Sequence, residues 1–453
     1  MQHQLVVGNT TTEYTYGGSL DSFPTKILAA RHAESARQAW LLRDGDAMIT
    51  ERPLTPAFMS YLGRTLGLDL DSIAFLTHDE EASGSMFLDG ASLLEPGLVK
   101  QLGDIVGPDW KIVPYIHDRS VATLGRRLGL SEQANPPFFA EGGSDIFNSK
   151  AFFRAWSRGL GAPVAPGQVT RNRAATAQAV AELLPVTGSV IVKQDFSASG
   201  YGNVLFTTDG DVPGVGVSST HVVPSGSTAD ELFELLAESF PTVDQVRDFP
   251  NGLRPCEAVV EVYYGNSLTF YSEVDIPEPG TEPTVLNWGL MRMEPIWNGF
   301  VIPSTELAGT AEAEMLSWSV EMAVYLQRTG YRGLLNCDSI LTPDGQMLFS
   351  EVNARVGGCT HVHYAALRLL GEDYLRRYTL LTRNHLPCGD FETLARSIDG
   401  DELLGAGPAG GCGAVLLVDD TTVNGTVQYM AYGDTPQRAQ AAEERLTALA
   451  AAS

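Results

Sequence analysis

The segment that most narrows what this 453-residue chain can fold into is a pair of apolar runs, 333–341 and 346–352, joined by Thr342-Pro343-Asp344-Gly345. Asp-Gly between two such runs is a strong hairpin signal, because the glycine takes the positive φ that a tight turn requires. Side chains alternate between the faces of a strand, so Glu351 and Asn353 share one face, Asp338 lies on the paired strand, and Arg355 continues the same alternation. Two carboxylates and an amide therefore converge on one point, an all-oxygen set of the kind a hard divalent cation takes. Arg355 adds a guanidinium where a transferring phosphoryl or acyl oxygen would sit. Taken alone, the same segment is also compatible with a hairpin whose polar face is simply solvated.

The rest of the composition is that of an ordinary globular chain. Hydrophobic residues are 44% and charged residues 19%, which excludes disordered, collagen-like and membrane-embedded classes. The length admits about three structural units. Lys and Arg number 30 against 55 Asp and Glu, a net charge of −25, so nucleic acid and membrane surfaces are not expected partners and cationic ligands gain some steering. Cys256, Cys337, Cys359, Cys388 and Cys412 are odd in number, widely spaced and without a C-x-x-C pair. They read as reduced thiols rather than a disulfide framework or a zinc site. The N-terminus lacks a basic region and a long apolar stretch, and a cytoplasmic location is expected.

Residues 1–145 alternate short apolar strands (5–7, 47–50, 73–77, 110–116) with helical patterns at 55–66 and 120–130, a βαβ texture with a parallel sheet. Asn135-Pro136-Pro137 through Ser144 is the best boundary. Lys150 then opens a helix to about 160 with Phe152, Phe153 and Trp156 as its apolar face. The run 258–264 ends at Gly265, and 268–274 reads as its hairpin partner. From about Pro387 the chain resembles a small α+β appendage, with strands at 414–418 and 426–432 and a final helix over 435–450.

Lys193 ends the apolar strand 189–193 and precedes a loop of small residues, 197–203, whose N–H groups suit phosphates; Lys150 is a second candidate cation upstream. In order, Asn148-Ser149-Lys150, Val190-Ile191-Val192-Lys193, Ser199-Gly200-Tyr201-Gly202-Asn203, Val260-Glu261, Asp338 and Glu351-x-Asn353-x-Arg355 resemble the ATP-grasp superfamily across about 200 residues. The Ser-Gly-x-Gly-Asn loop and the overall layout are similar to the pheganomycin-type peptide ligases.

The resemblance implies an α/β and α+β chain: a Rossmann-like βαβ domain (1–145), an ATP-grasp domain (146–386) with a lid at about 188–256, and a small α+β C-terminal domain (387–453). It implies ATP and Mg2+ as cofactors. Lys150, Lys193 and the lid residues Ser199, Gly200, Tyr201, Gly202 and Asn203 would meet phosphates, and Glu261, Val262 and Tyr263 would form the adenine hinge. Asp338, Glu351 and Asn353 would hold the metal, and Arg355 would steady an acyl phosphate. Asn266-Ser267 stands where many relatives carry a ribose-binding glutamate, and Asn336 where D-alanine-type ligases carry an arginine, so Arg292 is the candidate replacement anion partner.

The expected activity is ATP-dependent amide formation between an amino acid, by resemblance a guanidino, phenylglycine-like one, and the amine of a short peptide, in peptide natural-product biosynthesis. A homodimer is compatible with it. The alternatives are a small-molecule kinase or carboxylase on the same scaffold, and a nucleotide-gated peptide-binding protein. His361-x-His363 does not read as a metal pair, since i and i+2 do not share a helix face, and Cys359 reads as packing or substrate-lining rather than nucleophilic.

Overall fold

The computed structural model describes residues 2–18, 20, 32–197, 200–249 and 252–453. Near the N-terminus, β1 (Gln4–Val7), β2 (Ala47–Thr50), β3 (Ala74–Thr77) and β4 (Lys111–Pro114) form a parallel sheet in the order β3-β2-β1-β4. Both faces are buried, as parallel sheets require. Leu5, Val7, Ala47 and Ile49 pack on one side, whereas Val6 and Met48 point the other way into a core shared with Trp40, Phe58 and the last strands of the chain.

A second sheet gathers β5 (Gly167–Thr170), β6 (Ser189–Gln194), β7 (Asn203–Thr207), β8 (Ser219–Val222) and β11 (Ala258–Val262) in the order β5-β11-β6-β7-β8. A short antiparallel pair, β9 (Val246–Phe249) and β10 (Gly252–Pro255), leads into it. Helices Arg173–Thr187 and Ala229–Ser239 cover one face by burying Val180, Leu184, Leu232 and Leu236 against Val190, Val192, Val204, Phe206 and Val260. Strand alternation leaves Ile191, Lys193 and Glu261 on the opposite face.

The largest sheet has eight antiparallel strands: β12 (Leu268–Ile276), β13 (Thr284–Met293), β14 (Trp297–Ile302), β15 (Gly333–Leu341), β16 (Met347–Asn353), β17 (Thr379–Pro387), β18 (Cys412–Asp420) and β19 (Thr426–Gly433). Their order is β16-β15-β12-β13-β14-β17-β19-β18. Helices Thr310–Thr329 and Lys150–Leu160 pack on its back through Met315, Met322, Leu326, Phe153 and Trp156 against Phe270, Leu335, Cys337, Phe349 and Val352.

Two sequence expectations change. The runs 258–264 and 268–274 are not a hairpin: both edges of β11 are taken by β5 and β6, and both edges of β12 by β13 and β15, so the turn at Gly265-Asn266 carries the chain from one sheet to the next. The last 67 residues do not stand apart as an appendage either. Their strands β18 and β19 continue the eight-stranded sheet, helix Pro436–Ala450 buries Ala439, Ala442, Leu446 and Ala450, and Trp40 Nε1 donates to the Leu417 carbonyl at 2.7 Å. No helix among the described residues is long and apolar enough to cross a membrane.

Candidate active site

Strands β15 and β16 carry the Asp338 hairpin, and its turn keeps Gly345 at φ 87°. Asp338 stands in register with Glu351, and Asn336 with Asn353. Simple alternation from the buried Met347 and Phe349 would bury Glu351 as well. A β-bulge intervenes: Ser339 pairs with Phe349 and Asp338 with Glu351, leaving Ser350 as the extra residue. The phase reverses there, so Val352 turns into the core while Glu351 and Asn353 face a cavity of about 240 Å3.

That cavity lies between the eight-stranded sheet and the uncovered face of the five-stranded one. Lys193 on β6 reaches Glu261 on β11 at 2.6 Å, and Arg154 holds the other oxygen of Glu261 at 2.5 Å. Lys193 Nζ also donates to the carbonyl of the bulge residue Ser350 at 3.4 Å. Lys150 sits at the start of its helix because Ser149 caps it, accepting from Phe152 N. Its Nζ is 3.2 Å from Glu351 and 2.9 Å from the Ser197 carbonyl, at the root of the small-residue loop. Arg355 Nη2 donates to Asn353 Oδ1 at 2.8 Å, and Asn353 Nδ2 donates to Asp338 Oδ2 at 3.2 Å.

Charge in this cleft is unevenly shared. Burial, and then the Glu351 charge across the hairpin, push the Asp338 carboxyl well above the usual range. Burial alone would raise Glu351 too, but Lys150, Lys193 and Arg355 hold it below its ordinary value. Lys150, Lys193 and Arg355 thus stand around Asp338, Glu351 and Glu261, with Arg154 behind Glu261 and Asp338 biased toward its neutral form, and Arg37 and Glu34 also line the cavity. The donor set also fits a hard dication, which would relieve the opposition of two in-register carboxylates. Among the described residues no group of three or more His, Cys, Asp or Glu could cage a metal. Two carboxylates and an amide would leave the remaining positions to ligand oxygens or water, the usual arrangement for Mg2+ at a phosphate.

With this geometry fixed, likeness to known proteins is informative. Residues 35–130 match the family model of the Pre ATP-grasp domain. Solved structures with the same layout include N5-carboxyaminoimidazole synthetase from Staphylococcus aureus complexed with ADP, with TM-score 0.54 and 11% identity over 99% of this chain and 98% of that one. Biotin carboxylase from Campylobacter jejuni in a β,γ-ATP complex follows at 0.57 and 11%, over 97% and 90%. L-amino acid ligase from Bacillus licheniformis gives 0.50 and 13%, over 98% and 97%. No curated protein matches by sequence. The chain has the ATP-grasp fold.

The cleft between the two sheets of this ATP-grasp chain gathers Lys150, Lys193, Glu261, Val262, Tyr263, Asp338, Glu351, Asn353 and Arg355, along with Gly200 and Asn203 of the loop. Glu261, expected at a hinge with Val262 and Tyr263, lines the cleft and is clamped between Lys193 and Arg154, and the Tyr263 hydroxyl ties down the neighbouring loop by donating to the Pro213 carbonyl at 2.9 Å. Tyr201 points outward and is exposed. Gly202 closes the loop against Ser197, and Ser199 lies outside the described residues.

Arg292 is not brought to the cleft. Met291 and Met293 line the cavity, and Arg292 lies on the other face of β13, with its guanidinium bound to Glu443 of the last helix and 3.3 Å from the Thr382 carbonyl. Its place as a polar neighbour of the cleft goes to Tyr115, at the end of β4, which no motif singled out. The Tyr115 hydroxyl accepts from Arg355 Nη1 at 2.7 Å, and the Arg355 guanidinium lies 5.0 Å from the ring centre. Asn9 fixes that segment by accepting from Tyr115 N and donating to the Ile116 carbonyl.

Cys359 is buried and its Sγ donates to Asn336 Oδ1 at 2.9 Å, while burial pushes the thiol well above its ordinary range, which suits packing rather than attack. His361 and His363 are buried on helix Thr360–Leu370, His363 Nδ1 meeting the Tyr374 hydroxyl at 2.9 Å. Burial pulls His363 down to about 4. The unfolded chain, titrating near ~6.5, therefore takes a proton that the fold refuses, and stability falls as pH drops from 6.5 toward 4. At pH 5 this amounts to about 2 kcal/mol. In His363→Gln the loss of urea midpoint between pH 7 and pH 5 should be visibly smaller than in the wild type, and an identical pH dependence would contradict the assignment.

Proposed function

We propose that the chain is an ATP-dependent, ADP-forming carboxylate–amine ligase. The observation that carries the reading is the in-register Asp338–Glu351 pair, flanked by Asn353 and Arg355 and facing Lys150 and Lys193 across one cleft. Lys150, Lys193 and the loop residues Gly200 and Asn203 would bind the triphosphate, and the apolar end of the cleft at Ile191, Val262, Ile340 and Leu348 would take the base. Asp338, Glu351 and Asn353 would hold Mg2+, which neutralises charge developing on the transferred phosphoryl group.

A carboxylate oxygen of the acid attacks the γ-phosphorus, the bond to ADP breaks, and an acyl phosphate results. The amine then attacks the acyl carbon, the C–O bond to phosphate breaks, and the amine proton passes to the departing phosphate or to water. Arg355, braced by Tyr115 and Asn353, stands where the acyl oxygen becomes negative. Orientation and exclusion of water from the mixed anhydride are the remaining tasks of the cleft.

The solved neighbours include both carboxylases and an amino acid ligase by their names, so the organic substrate must be argued from this chain. On the same sheet face as Asp338, Tyr271 is its register partner on β12, and Met291, Met293, Trp297 and Phe300 continue across β13 and β14. Strands lie ~4.8 Å apart, so this apolar wall begins within one residue's length of the acidic pair. Bicarbonate has no use for such a wall, whereas an organic side chain does, and we take its occupant to be the side chain of an amino acid. The finer reading, an amino acid joined to the amine of a short peptide, rests on that wall, on the resemblance to the pheganomycin-type ligases, and on the net charge of −25.

Incubation with Mg·ATP, a panel of amino and guanidino acids and short peptides should release phosphate only when acid and amine are both present, with a new amide mass. ADP with a stable phosphorylated or carboxylated small molecule and no amine requirement would point to a kinase or carboxylase instead. Glu351→Gln removes one hard anionic ligand and should lower the Mg2+-dependent rate about a hundredfold or more with the fold intact by circular dichroism. A near wild-type rate with normal Mg2+ dependence would remove Glu351 from the metal site.

A further inference from the structure

Behind the apolar wall, β12 buries a carboxylate that touches neither the acidic pair nor the lysines. Glu273 is fully inaccessible, stands in register with Asn336 on β15 and Asn287 on β13, and lies at a register shift of β12. Bulges re-aim side chains, and this one coincides with a group that joins three parts of the cleft.

Glu273 Oε2 accepts from Asn287 Nδ2 at 2.8 Å, and Asn287 Oδ1 accepts from the Tyr271 hydroxyl at 2.7 Å. Glu273 Oε1 accepts from the Thr360 hydroxyl. Thr360 Oγ1 in turn accepts from Gly357 N at 2.9 Å, which closes the turn Gly357–Thr360. Cys359, inside that turn, donates to Asn336 Oδ1, and Asn336 Nδ2 reaches the Arg355 carbonyl at 3.4 Å. Tyr271, Asn336, Gly357 and Gly358 line the cavity, and Glu273 does not. Trp297 seals the turn from the other side, leaving no room for a Cβ at Gly358.

We infer that Glu273 is the positioning residue for the organic-acid side of the cleft, holding the Gly357–Thr360 turn and Tyr271 in one hydrogen-bonded unit. A carboxylate suits this place because, when ionised, it is all acceptor, and the Thr360 hydroxyl and the Asn287 NH2 both donate to it. An apolar residue would be easier to bury, but it would leave Thr360 and Asn287 unpaired. In the proposed reading the nucleotide would lie on the far side of the acidic pair, against β6, β11 and the lysines, and none of the hydrogen bonds named above reaches those strands or lysines. The inference rests on the proposed ligase activity for what occupies the wall; its structural content does not.

Thr360→Val keeps the side-chain shape and removes the hydroxyl bridge, Glu273→Gln keeps one acceptor, and Glu273→Leu removes both. Hydrogen exchange of residues 355–362 should quicken in all three, with Glu273→Gln least affected, while exchange on β6 and β11 stays as in the wild type. The KM for the acid should rise about tenfold in Thr360→Val with the KM for ATP unchanged. The Glu273→Leu/Thr360→Val double variant should be no worse than the worse single one. Unchanged exchange at 355–362, or acid and ATP constants moving together, would overturn the assignment. Quickened exchange in a protein whose wild type makes no amide would instead sink the ligase reading and leave the role of Glu273 standing.

Discussion

The whole cleft depends on one extra residue. Ser350 interrupts the pairing of β15 and β16, and the strand that buries Met347 and Phe349 behind the sheet then presents Glu351 and Asn353 in front of it. Without that reversal the hairpin would place a carboxylate in the apolar core, and the front of the sheet would carry Val352. The bulge is held from both sides, since Ser350 Oγ lies 3.3 Å from the Asp338 carbonyl, and its own carbonyl accepts from Lys193 of the opposing sheet. A local irregularity therefore also contributes one of the contacts by which the two sheets meet.

Once the acidic pair faces the cleft, the distribution of cations around it follows from Coulomb's law in a partly dry space. Lys150 pairs with Glu351, Lys193 and Arg154 share Glu261, and Asp338, raised by burial and then by the Glu351 charge beside it, holds its proton more tightly despite Arg355 and Lys150. The N-terminal sheet takes part through Tyr115, and the last strands take part by closing the core behind helix Thr360–Leu370.

Much of this was legible in the sequence where local pattern decides. The Asp344-Gly345 turn, the alternation of Glu351 and Asn353, and the lysines at the ends of a helix cap and a strand are short-range signals, and the structure brings these residues to one cavity. Pairings that depend on which sheet edge is already occupied were not legible, which is why 258–264 and 268–274 looked like a hairpin. Arg292 was misplaced for a related reason: alternation on β13 is visible in the sequence, but which face looks into the cleft is fixed by its neighbours and by Glu443, 151 residues away. Tyr115 and Glu273 carry no motif at all. Their roles come from contacts with Arg355 and Thr360 that only the assembled sheets create.

The central claim is that a carboxylate is activated in this cleft by taking the γ-phosphoryl group of ATP. The measurement that reaches it most directly is isotope transfer: the acid that supports turnover is labelled with 18O in its carboxylate, and the phosphate released with the amide is analysed by mass spectrometry. Attack by the carboxylate oxygen on phosphorus, followed by cleavage of the acyl C–O bond, predicts one 18O atom in each phosphate released from fully labelled acid. Phosphate free of label, formed at the same rate as the amide, would contradict the account.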